Sequence, residues 1–402
     1  MSNKLNCIDR FYSTYQREPD AIAFCPYRIS PLGAHIDHQG GIINGMAIDR
    51  GIHMAYGRKQ NGVVEVQSMD FPNRVQFHVR EVQDEKVGDW ADYLRGAAKM
   101  LGEEYPLKYG VCGVIEGSLP IGGLSSSAAV TICFLQALCA VNKIELEAQE
   151  YIRFAKRTEN LYVGVNCGIL DQSCEVLCEK DSLLYLDCES NEYRQIRQPE
   201  NMPDYEIAIF FSGLERSLAN SKYNLRVDEC KASAYYLMAY AGMEYDKMSN
   251  TRLRQVPYDV YVSYRDRLPE IFCKRTDHFY SEIRRAQEGA KAWEEGNLVK
   301  YGKLMFESGQ SSIKLYECGC PELISLYWIM RKTPGIYGGR FSGAGFKGCC
   351  MALIDPAKRE EIEQNVREAY LKEYPELEGK YMSAFCKSAD GVMAMQRERV
   401  IL

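Results

Sequence analysis

The feature that most constrains the fold is a glycine- and serine-rich segment at residues 120–128. It separates a predicted strand at 110–116 from a long predicted helix that starts at Ser125. Unpaired N–H groups and the positive end of a helix dipole attract phosphate at such a junction, and glycines let the backbone approach the anion. The segment lacks the lysine of a Walker A loop and does not read Gly-x-Gly-x-x-Gly, so it favours neither a P-loop nor a nicotinamide-binding fold. A serine-capped helix after a turn is the structural alternative.

The first half of the chain reads as helix, strand and strand meander. Apolar residues at helical spacing predict a helix at 6–15, and residues 22–28 then read as a strand. Short apolar runs within 41–77 predict several strands, with turns at Asp49-Arg50-Gly51 and Asn61-Gly62. A second long helix is expected at 146–162.

The second half is predominantly helical. Long amphipathic helices are predicted across 217–301, with breaks at Pro257 and Pro269, and a strand returns at 349–354. For 402 residues this order indicates an α+β protein built of two facing lobes. We expect the lobes to span residues 1–200 and 201–402.

Charge and hydropathy exclude several classes of protein. The formal net charge is −6, and no dense basic run argues for nucleic acid or an anionic membrane as a partner. Residues 1–18 lack the continuous apolar core of a signal peptide, and no apolar stretch reaches the roughly 18 residues of a spanning helix. We therefore expect a soluble, cytoplasmic protein.

Sixteen cysteines suggest disulfides until their positions are considered. Many lie in apolar or helical surroundings, such as Cys133, Cys139, Cys349 and Cys350, which is typical of reduced core thiols. Zinc sites usually use two Cys-x-x-Cys pairs, and no suitable second pair is present.

Two further segments concentrate polar groups beside glycines. Residues 28–41 hold Arg28, His35, Asp37 and His38, which could hydrogen-bond a polyol; the His-x-x-His spacing also allows a metal site, and satisfied structural histidines are the third alternative. Residues 166–172 carry Asp171 where a general base could be sheltered, although an aspartate there could equally cap a helix. From the residues alone, Glu159 reads as part of a solvated helix face.

Taken together and in this order, these segments resemble the motifs of the GHMP small-molecule kinases, in the galactokinase branch. Residues 28–41 are similar to the sugar signature, 120–128 to the phosphate loop, and 335–348 to the third motif. Residues 167–172 resemble the catalytic-aspartate segment. Arg216-Ser217-Leu218 through Tyr223 resemble the sugar-contacting helix. The resemblance covers nearly the whole chain.

The resemblance implies a two-lobed GHMP-kinase fold with the active site in the cleft between the lobes. It also implies ATP-dependent phosphorylation of the anomeric C1 hydroxyl of a sugar, with Asp171 as base and Arg28 as its partner. A cation there would keep the carboxylate ionised and steady developing negative charge. The implied partners are ATP, Mg²⁺ and a sugar, bound by a monomer or weak homodimer.

The remaining site residues follow from the same resemblance. Ser127 and Glu159 match the magnesium ligands, which suits an ion that takes few protein oxygens. The nucleotide-binding residues are Gly122, Gly123, Leu124, Ser125, Ser126 and Ser127. The sugar-binding residues are Ala34, His35, Asp37, Gly168 and Tyr223.

Two departures from the galactokinase pattern affect these expectations. The phosphate loop is one residue shorter, which leaves its individual phosphate contacts open. The expected Gly-Glu-His-Thr-Asp-Tyr reads Gly-Ala-His-Ile-Asp-His from Gly33, so Ala34 replaces a glutamate placed near the sugar's C6 hydroxyl. A glutamate about 4 Å from a C6 carboxylate would cost on the order of 4 kcal/mol at an effective dielectric of about 20.

Ala34 therefore indicates a uronic acid substrate, and the surrounding residues resemble galacturonokinases more closely than galactokinases. We expect D-galacturonate to be the sugar. A kinase for galactose or N-acetylgalactosamine is the alternative, and a catalytically silent sugar sensor is a third. The retained Asp171, Arg28, Ser127 and Glu159 argue against the sensor.

Overall fold

The computed structural model describes residues 2–214 and 222–400. Strands occur in both halves of this part of the chain. They are β1 (Ala21–Leu32), β2 (Ile42–Lys59), β3 (Val63–Ser68), β4 (Arg74–His78), β5 (Gly110–Gly117), β6 (Ser182–Asp187), β7 (Tyr193–Arg197), β8 (Glu206–Phe211), β9 (Ile336–Phe341), β10 (Cys349–Ile354), β11 (Met382–Cys386) and β12 (Ser388–Ala389).

The helices alternate with these strands. They are α1 (Ser2–Tyr15), α2 (Asp92–Gly102), α3 (Ser126–Asn142), α4 (Ala148–Arg157), α5 (Leu170–Leu177), α6 (Tyr223–Tyr240), α7 (Tyr258–Tyr264), α8 (Glu270–Glu294), α9 (Leu298–Ser311), α10 (Pro321–Lys332), α11 (Arg359–Glu373) and α12 (Val392–Val400). Two π-helical turns, Thr158–Val163 and Ser312–Tyr316, extend α4 and α9. None of the described helices is long and apolar enough to cross a membrane.

The strands form two sheets within the described residues. The first has the order β4-β3-β5-β2-β6-β7, and β1 and β12 also pair with β2. Its β3–β5 pair is parallel and its other pairs are antiparallel. The second sheet is antiparallel, with the order β11-β8-β10-β9. The predicted α+β class is confirmed.

Strand β2 corrects one prediction. Asp49-Arg50-Gly51 was expected to form a turn, but the strand runs unbroken through it from Ile42 to Lys59. The polar triplet instead produces a register shift against β1, where Pro26 pairs with Gly51 but Arg28 pairs with Ala47. The Asp49 N–H donates to the Lys387 carbonyl, so a C-terminal segment supplies a partner that a local turn would not need.

Both sheets contribute buried strands to the core. Strands β8 and β10 are buried along their whole length and apolar except for Glu206, and α3 packs its buried side chains on β1 and β2. Helices α8 and α9, which follow the second sheet's first strand, also contact β1. Strand β1 therefore carries residues toward the space between the sheets, and Arg28 lies on it.

All sixteen cysteines fall within the described residues. Each is a free thiol, and most are buried. The prediction of reduced core thiols is confirmed.

Candidate active site

A cavity of about 400 Å³ opens between the two sheets. It is lined by the starts of α3, α5 and α6 together with strands β1 and β9. The predicted site residues on its wall are Arg28, Ala34, His35, Asp37, Gly123, Ser125, Ser127, Glu159, Gly168, Asp171 and Tyr223. Gly122, Leu124 and Ser126 belong to the same loop but do not line the cavity. One cavity thus joins segments that are far apart in the sequence.

Asp171 and Arg28 form an ion pair at this cavity. The Nε and Nη2 atoms of Arg28 both lie 2.8 Å from Oδ1 of Asp171. The guanidinium is buried, whereas the Asp171 side chain keeps 26% of its surface exposed. Burial opposes the charge of Arg28, but the adjacent carboxylate outweighs it and raises the pKa of the guanidinium. The buried Arg28 guanidinium therefore holds the Asp171 carboxylate at the cavity wall.

Arg28 also connects this pair to the glycine-rich loop. Its Nη1 donates to the Gly123 carbonyl at 3.0 Å, and that carbonyl accepts a second hydrogen bond from Ser342 Oγ at 2.6 Å. Gly123 has φ +87°, and a Cβ there would lie 2.8 Å from the Ser342 carbonyl. Only glycine allows the two loops to approach this closely.

The loop ends at the N-terminus of the 17-residue helix α3. Ser125 occupies the capping position with φ 60°, but its side chain makes no capping hydrogen bond. Its Oγ is buried against the cavity without a partner among the described residues. The expected alternative, a serine-capped helix, therefore does not describe this terminus, and the hydroxyl and nearby N–H groups are placed for an anion.

Asp37 lines the same cavity as the glycine-rich loop. Its Oδ2 accepts a hydrogen bond from the Leu170 N–H at 3.3 Å. A Cβ at Gly168 would lie 2.1 Å from the same oxygen, so glycine is required for this approach. Burial, followed by the negative charge of Asp171, raises the pKa of Asp37. Asp37 and Asp171 are thus two acidic groups of one site in different surroundings.

The two histidines of the first motif contact the same residue, Tyr316, in different ways. His35 stacks on Tyr316, with ring centroids 4.5 Å apart and planes 3° from parallel, and its Nε2 lies 3.5 Å from Cys318 Sγ. His38 Nε2 instead lies 3.2 Å from the Tyr316 hydroxyl. No group of three or more His, Cys, Asp or Glu in the described residues is arranged to hold a metal ion. The contacts of both rings match structural and cavity-lining roles.

Ala34 is buried against helix α8. Its N–H donates to Glu282 Oε1 at 3.1 Å, and its carbonyl accepts from His278 Nε2 at 2.8 Å. Because a carbonyl only accepts, the proton of the His278 ring is on Nε2. Glu282 also accepts hydrogen bonds from Gly33 and Ser308. The backbone of residue 34 is therefore held on both sides while its methyl group faces the cavity.

Glu159 is buried and not on a solvated helix face, as the residues alone had suggested. It lies on the π-helical turn after α4 and is 4% exposed. Its Oε2 accepts from Gln172 Nε2 at 2.6 Å and from Cys167 Sγ at 3.1 Å. Ser127 lines the same cavity from the first turn of α3. A carboxylate and a hydroxyl are hard oxygen donors of the kind Mg²⁺ takes beside water and phosphate oxygens.

Several lining residues had no predicted role, although most lie within or beside the motif segments. They are Ser30, Cys167, Gln172, Lys222, Arg340 and Lys347. Arg340 and Lys347 could have been found from their place in the third motif, which spans the β9–β10 connection.

The predicted sugar-contacting segment is described only in part. Arg216-Ser217-Leu218 lie outside the described residues, whereas Tyr223 begins α6 and contacts His38 edge-on.

Comparison with known families assigns the class of the protein. The sequence matches the family described as GHMP kinases N terminal domain over residues 92–179 and GHMP kinases C terminal over residues 290–372. Residues 9–58 match the galactokinase galactose-binding signature. These segments contain the phosphate loop, Asp171 and the Arg28–Asp37 loop, so fold and site together define a GHMP kinase.

Relatives that align along most of the chain identify its family within the GHMP kinases. Galacturonokinase of Arabidopsis thaliana is 38% identical over 93% of both chains, and galactokinase of Clostridium perfringens is 33% identical over 90% of this chain and 92% of its own. The chain belongs to the galactokinase family of GHMP kinases and is an ATP-dependent sugar 1-kinase.

Solved structures agree with this assignment. Lactococcus lactis galactokinase complexed with galactose aligns with a TM-score of 0.85 at 28% identity, covering 96% of this chain and 97% of its own. Methanococcus jannaschii mevalonate kinase aligns with a TM-score of 0.65 at 17% identity over 92% and 98% of the two chains, which shows the shared fold.

Proposed function

We propose that this kinase transfers the γ-phosphoryl group of ATP to the anomeric hydroxyl of D-galacturonate and releases galacturonate 1-phosphate and ADP. The observation that carries the choice of sugar is Ala34, whose small apolar side chain lines the cavity where the galactokinase signature has a glutamate. A second carboxylate at that position would repel an acidic C6 group. The 38% identity to a plant galacturonokinase supports the same choice.

The Asp171–Arg28 pair supports a base-assisted transfer. Asp171 accepts the proton of the C1 hydroxyl as the C1 oxygen bonds to the γ-phosphorus, and the bond from that phosphorus to the β–γ bridging oxygen breaks. Arg28 orients the carboxylate through two contacts at 2.8 Å and remains charged throughout. The hydrogen bond from Arg28 to the Gly123 carbonyl fixes the position of Asp171 relative to the loop at residues 122–127.

The loop at residues 122–127 is proposed to bind the nucleotide phosphates. The α3 N-terminus supplies N–H groups and the positive end of the helix dipole, and Ser125 adds a buried hydroxyl without a partner among the described residues. Gly122, Gly123, Leu124 and Ser126 then shape the loop, since Gly122 packs against Gly348 of the third motif.

Ser127 and Glu159 are the residues proposed to hold Mg²⁺. Both line the cavity, and only two protein oxygens are offered, so most ligands would be water and phosphate oxygens. Bound Mg²⁺ supplies charge neutralisation on the transferred phosphate. Gln172 fixes the Glu159 carboxylate from the other side at 2.6 Å.

The sugar is proposed to occupy the opposite end of the cavity. Asp37, whose pKa burial raises, is available to hydrogen-bond ring hydroxyls, and Gly168 leaves the space it needs. His35 and Tyr223 also line the cavity. Free thiols and the use of ATP fit a cytoplasmic location, and a monomer or weak homodimer remains our expectation for the assembly.

The decisive experiment measures ADP release with Mg·ATP and a panel of sugars. We expect D-galacturonate to give the largest kcat/KM, ahead of D-glucuronate, D-galactose and N-acetylgalactosamine, with the phosphate at C1 by ³¹P NMR. A larger kcat/KM for galactose would replace the uronate assignment with that of a galactokinase. Sugar binding by calorimetry without ADP release would indicate a sensor.

A further inference from the structure

Helix α8 carries a buried carboxylate to the backbone of residues 33–37, here called the signature loop. Glu282 is 0% exposed, and its Oε1 accepts hydrogen bonds from the Gly33 N–H at 3.0 Å and the Ala34 N–H at 3.1 Å. Successive N–H groups that converge on one anion form a nest, and the φ of +89° at Gly33 is typical of such a turn. Glu282 does not line the cavity, so it acts on the site through this backbone.

A second residue of α8 holds the other side of Ala34. His278 lies four residues before Glu282, on the same face of the helix, and its Nε2 donates to the Ala34 carbonyl at 2.8 Å. Since Nε2 carries the proton, Nδ1 accepts from the Ser311 hydroxyl at 2.9 Å. One helix face therefore binds both the N–H and the carbonyl of residue 34.

The Glu282 carboxylate is held in turn by side chains of α8 and α9. Arg285 Nε lies 2.7 Å from Oε2, and the Ser308 hydroxyl donates to Oε1. Burial opposes ionisation, but Arg285, His278, Arg340 and the hydrogen bond from Ser308 together lower the pKa of Glu282 to about 2. Glu282 is therefore a carboxylate that only accepts hydrogen bonds, and those from the loop N–H groups are charge-assisted.

The residues that follow these contacts line the cavity. Ala34, His35 and Asp37 all lie on its wall. His35 has φ 57°, a left-handed backbone conformation that is uncommon outside glycine and persists where surrounding contacts impose it. Glu282 and His278 bind the residues immediately before His35. A helix from the second half of the chain thus fixes a loop of the first half.

We propose that Glu282 is a positioning residue for the sugar, because its carboxylate fixes the backbone at residues 33 and 34 and thereby the direction of the side chains from Ala34 to Asp37. This inference rests on the proposed function, which places the sugar against these side chains. The Arg28–Asp171 pair makes no hydrogen bond to α8 among the described residues. Loss of the Glu282 contact should therefore weaken sugar binding and leave phosphoryl transfer intact.

The test separates sugar binding from turnover. Glu282→Gln keeps the side-chain length but loses the charge, whereas Glu282→Asp keeps a charge beside Arg285 but withdraws it from the loop. Both should raise the KM for sugar and the Kd by calorimetry about tenfold, while kcat and the KM for ATP stay within about threefold of wild type. Glu288→Gln removes a half-exposed carboxylate from the same helix and should behave as wild type.

The outcomes distinguish this inference from the proposed function. An unchanged KM for sugar in both Glu282 variants, an equal rise in the KM for ATP, or a loss of kcat alone would overturn the positioning role, since partial misfolding lowers the active fraction and not the affinity. The assays use the sugar that wild type phosphorylates fastest, so a preference for galactose would overturn only the galacturonate assignment. Should Glu282→Gln not fold because Arg285 loses its buried anion, Glu282→Asp decides.

Discussion

Asp171 and Arg28 show how the site is built from individual residues. One carboxylate oxygen receives two guanidinium nitrogens, both at 2.8 Å, while the same arginine binds the carbonyl of the phosphate loop. Charge-assisted hydrogen bonds of this kind fix orientation as well as charge. The proposed base is therefore positioned by the group that also touches the proposed phosphate site.

Replacing the base tests its role directly. Asp171→Asn should lower kcat by roughly 10² or more, because an amide cannot accept the C1 proton, while sugar binding by calorimetry changes little. Asp228→Asn, an exposed change on α6, is the matched control and should behave as wild type. Near-native turnover in Asp171→Asn would eliminate this residue as the base.

Ala34 tests the identity of the sugar. Ala34→Glu should lower the kcat/KM ratio of D-galacturonate over D-galactose roughly tenfold or more, since the new carboxylate would repel that of the substrate. Ala34→Gln adds similar volume without charge and should change the ratio less. An unchanged ratio in Ala34→Glu would mean that C6 is recognised elsewhere.

Gly168 tests the sugar-binding position of Asp37. A Cβ at residue 168 would lie 2.1 Å from Asp37 Oδ2, so Gly168→Ala should displace that carboxylate and raise the KM for sugar about tenfold. The KM for ATP should remain close to that of wild type. Gly102→Ala introduces only an ordinary contact at 3.5 Å and is the control. Equal KM values for sugar in both variants would contradict the placement of Asp37.

At the scale of elements, irregular backbone lies beside the site. The first π-helical turn carries Glu159 to the cavity, and the second ends at Tyr316, which stacks on His35. Single π-helical turns occur often at functional sites. The register shift between β1 and β2 begins immediately before Arg28. Departures from ideal geometry thus accompany three of the residues that form the site.

Strand β2 yields a stability prediction at the same scale. A Cβ at Gly51 would lie 2.1 Å from the Cys25 carbonyl, a backbone atom that cannot turn aside. Gly51→Ala should therefore lower the free energy of unfolding by about 1–3 kcal/mol, measured by urea denaturation. Gly102→Ala again serves as the control. An unchanged urea midpoint would contradict the steric clash expected between residue 51 of β2 and the Cys25 carbonyl of β1.

At the scale of the whole molecule, three buried histidines lie where the sheets meet. Burial is the main cause that lowers the pKa of His38 to about 3 and of His278 to about 4, and it lowers that of His35 as well. Near pH 6.5 these imidazoles become protonated in the unfolded chain but stay neutral in the folded protein. The unfolded state therefore binds more protons as the pH falls.

The free energy of unfolding should consequently fall on acidification from pH 7.5 to 5.5, by about 1 kcal/mol for each of the three histidines. Burial opposes the ionisation of Glu282, but Arg285, His278, Arg340 and the hydrogen bond from Ser308 together lower its pKa to about 2, so Glu282 loses its contribution only below about pH 4.5. Urea unfolding at the two pH values measures the loss, and His278→Gln should reduce it by about a third. A pH-independent unfolding free energy in this range would contradict buried neutral histidines.

The sequence by itself determined the order of elements, the α+β class and the motif segments that belong to one family. Local rules suffice there, because apolar periodicity, glycine loops and motif spacing are properties of neighbouring residues. The division at residue 200 and the roles of the site residues remain predictions.

Only the tertiary structure decided which side chains meet. The Lys387 carbonyl accepts from the Asp49 N–H of β2, Gln172 Nε2 donates to the buried Glu159, and Arg340 on β9 donates to the Ser30 carbonyl on β1. Those contacts join positions up to 338 residues apart, as for Asp49 and Lys387. Burial arises from such long-range packing, so no local pattern shows that Glu159 and Arg340 are enclosed.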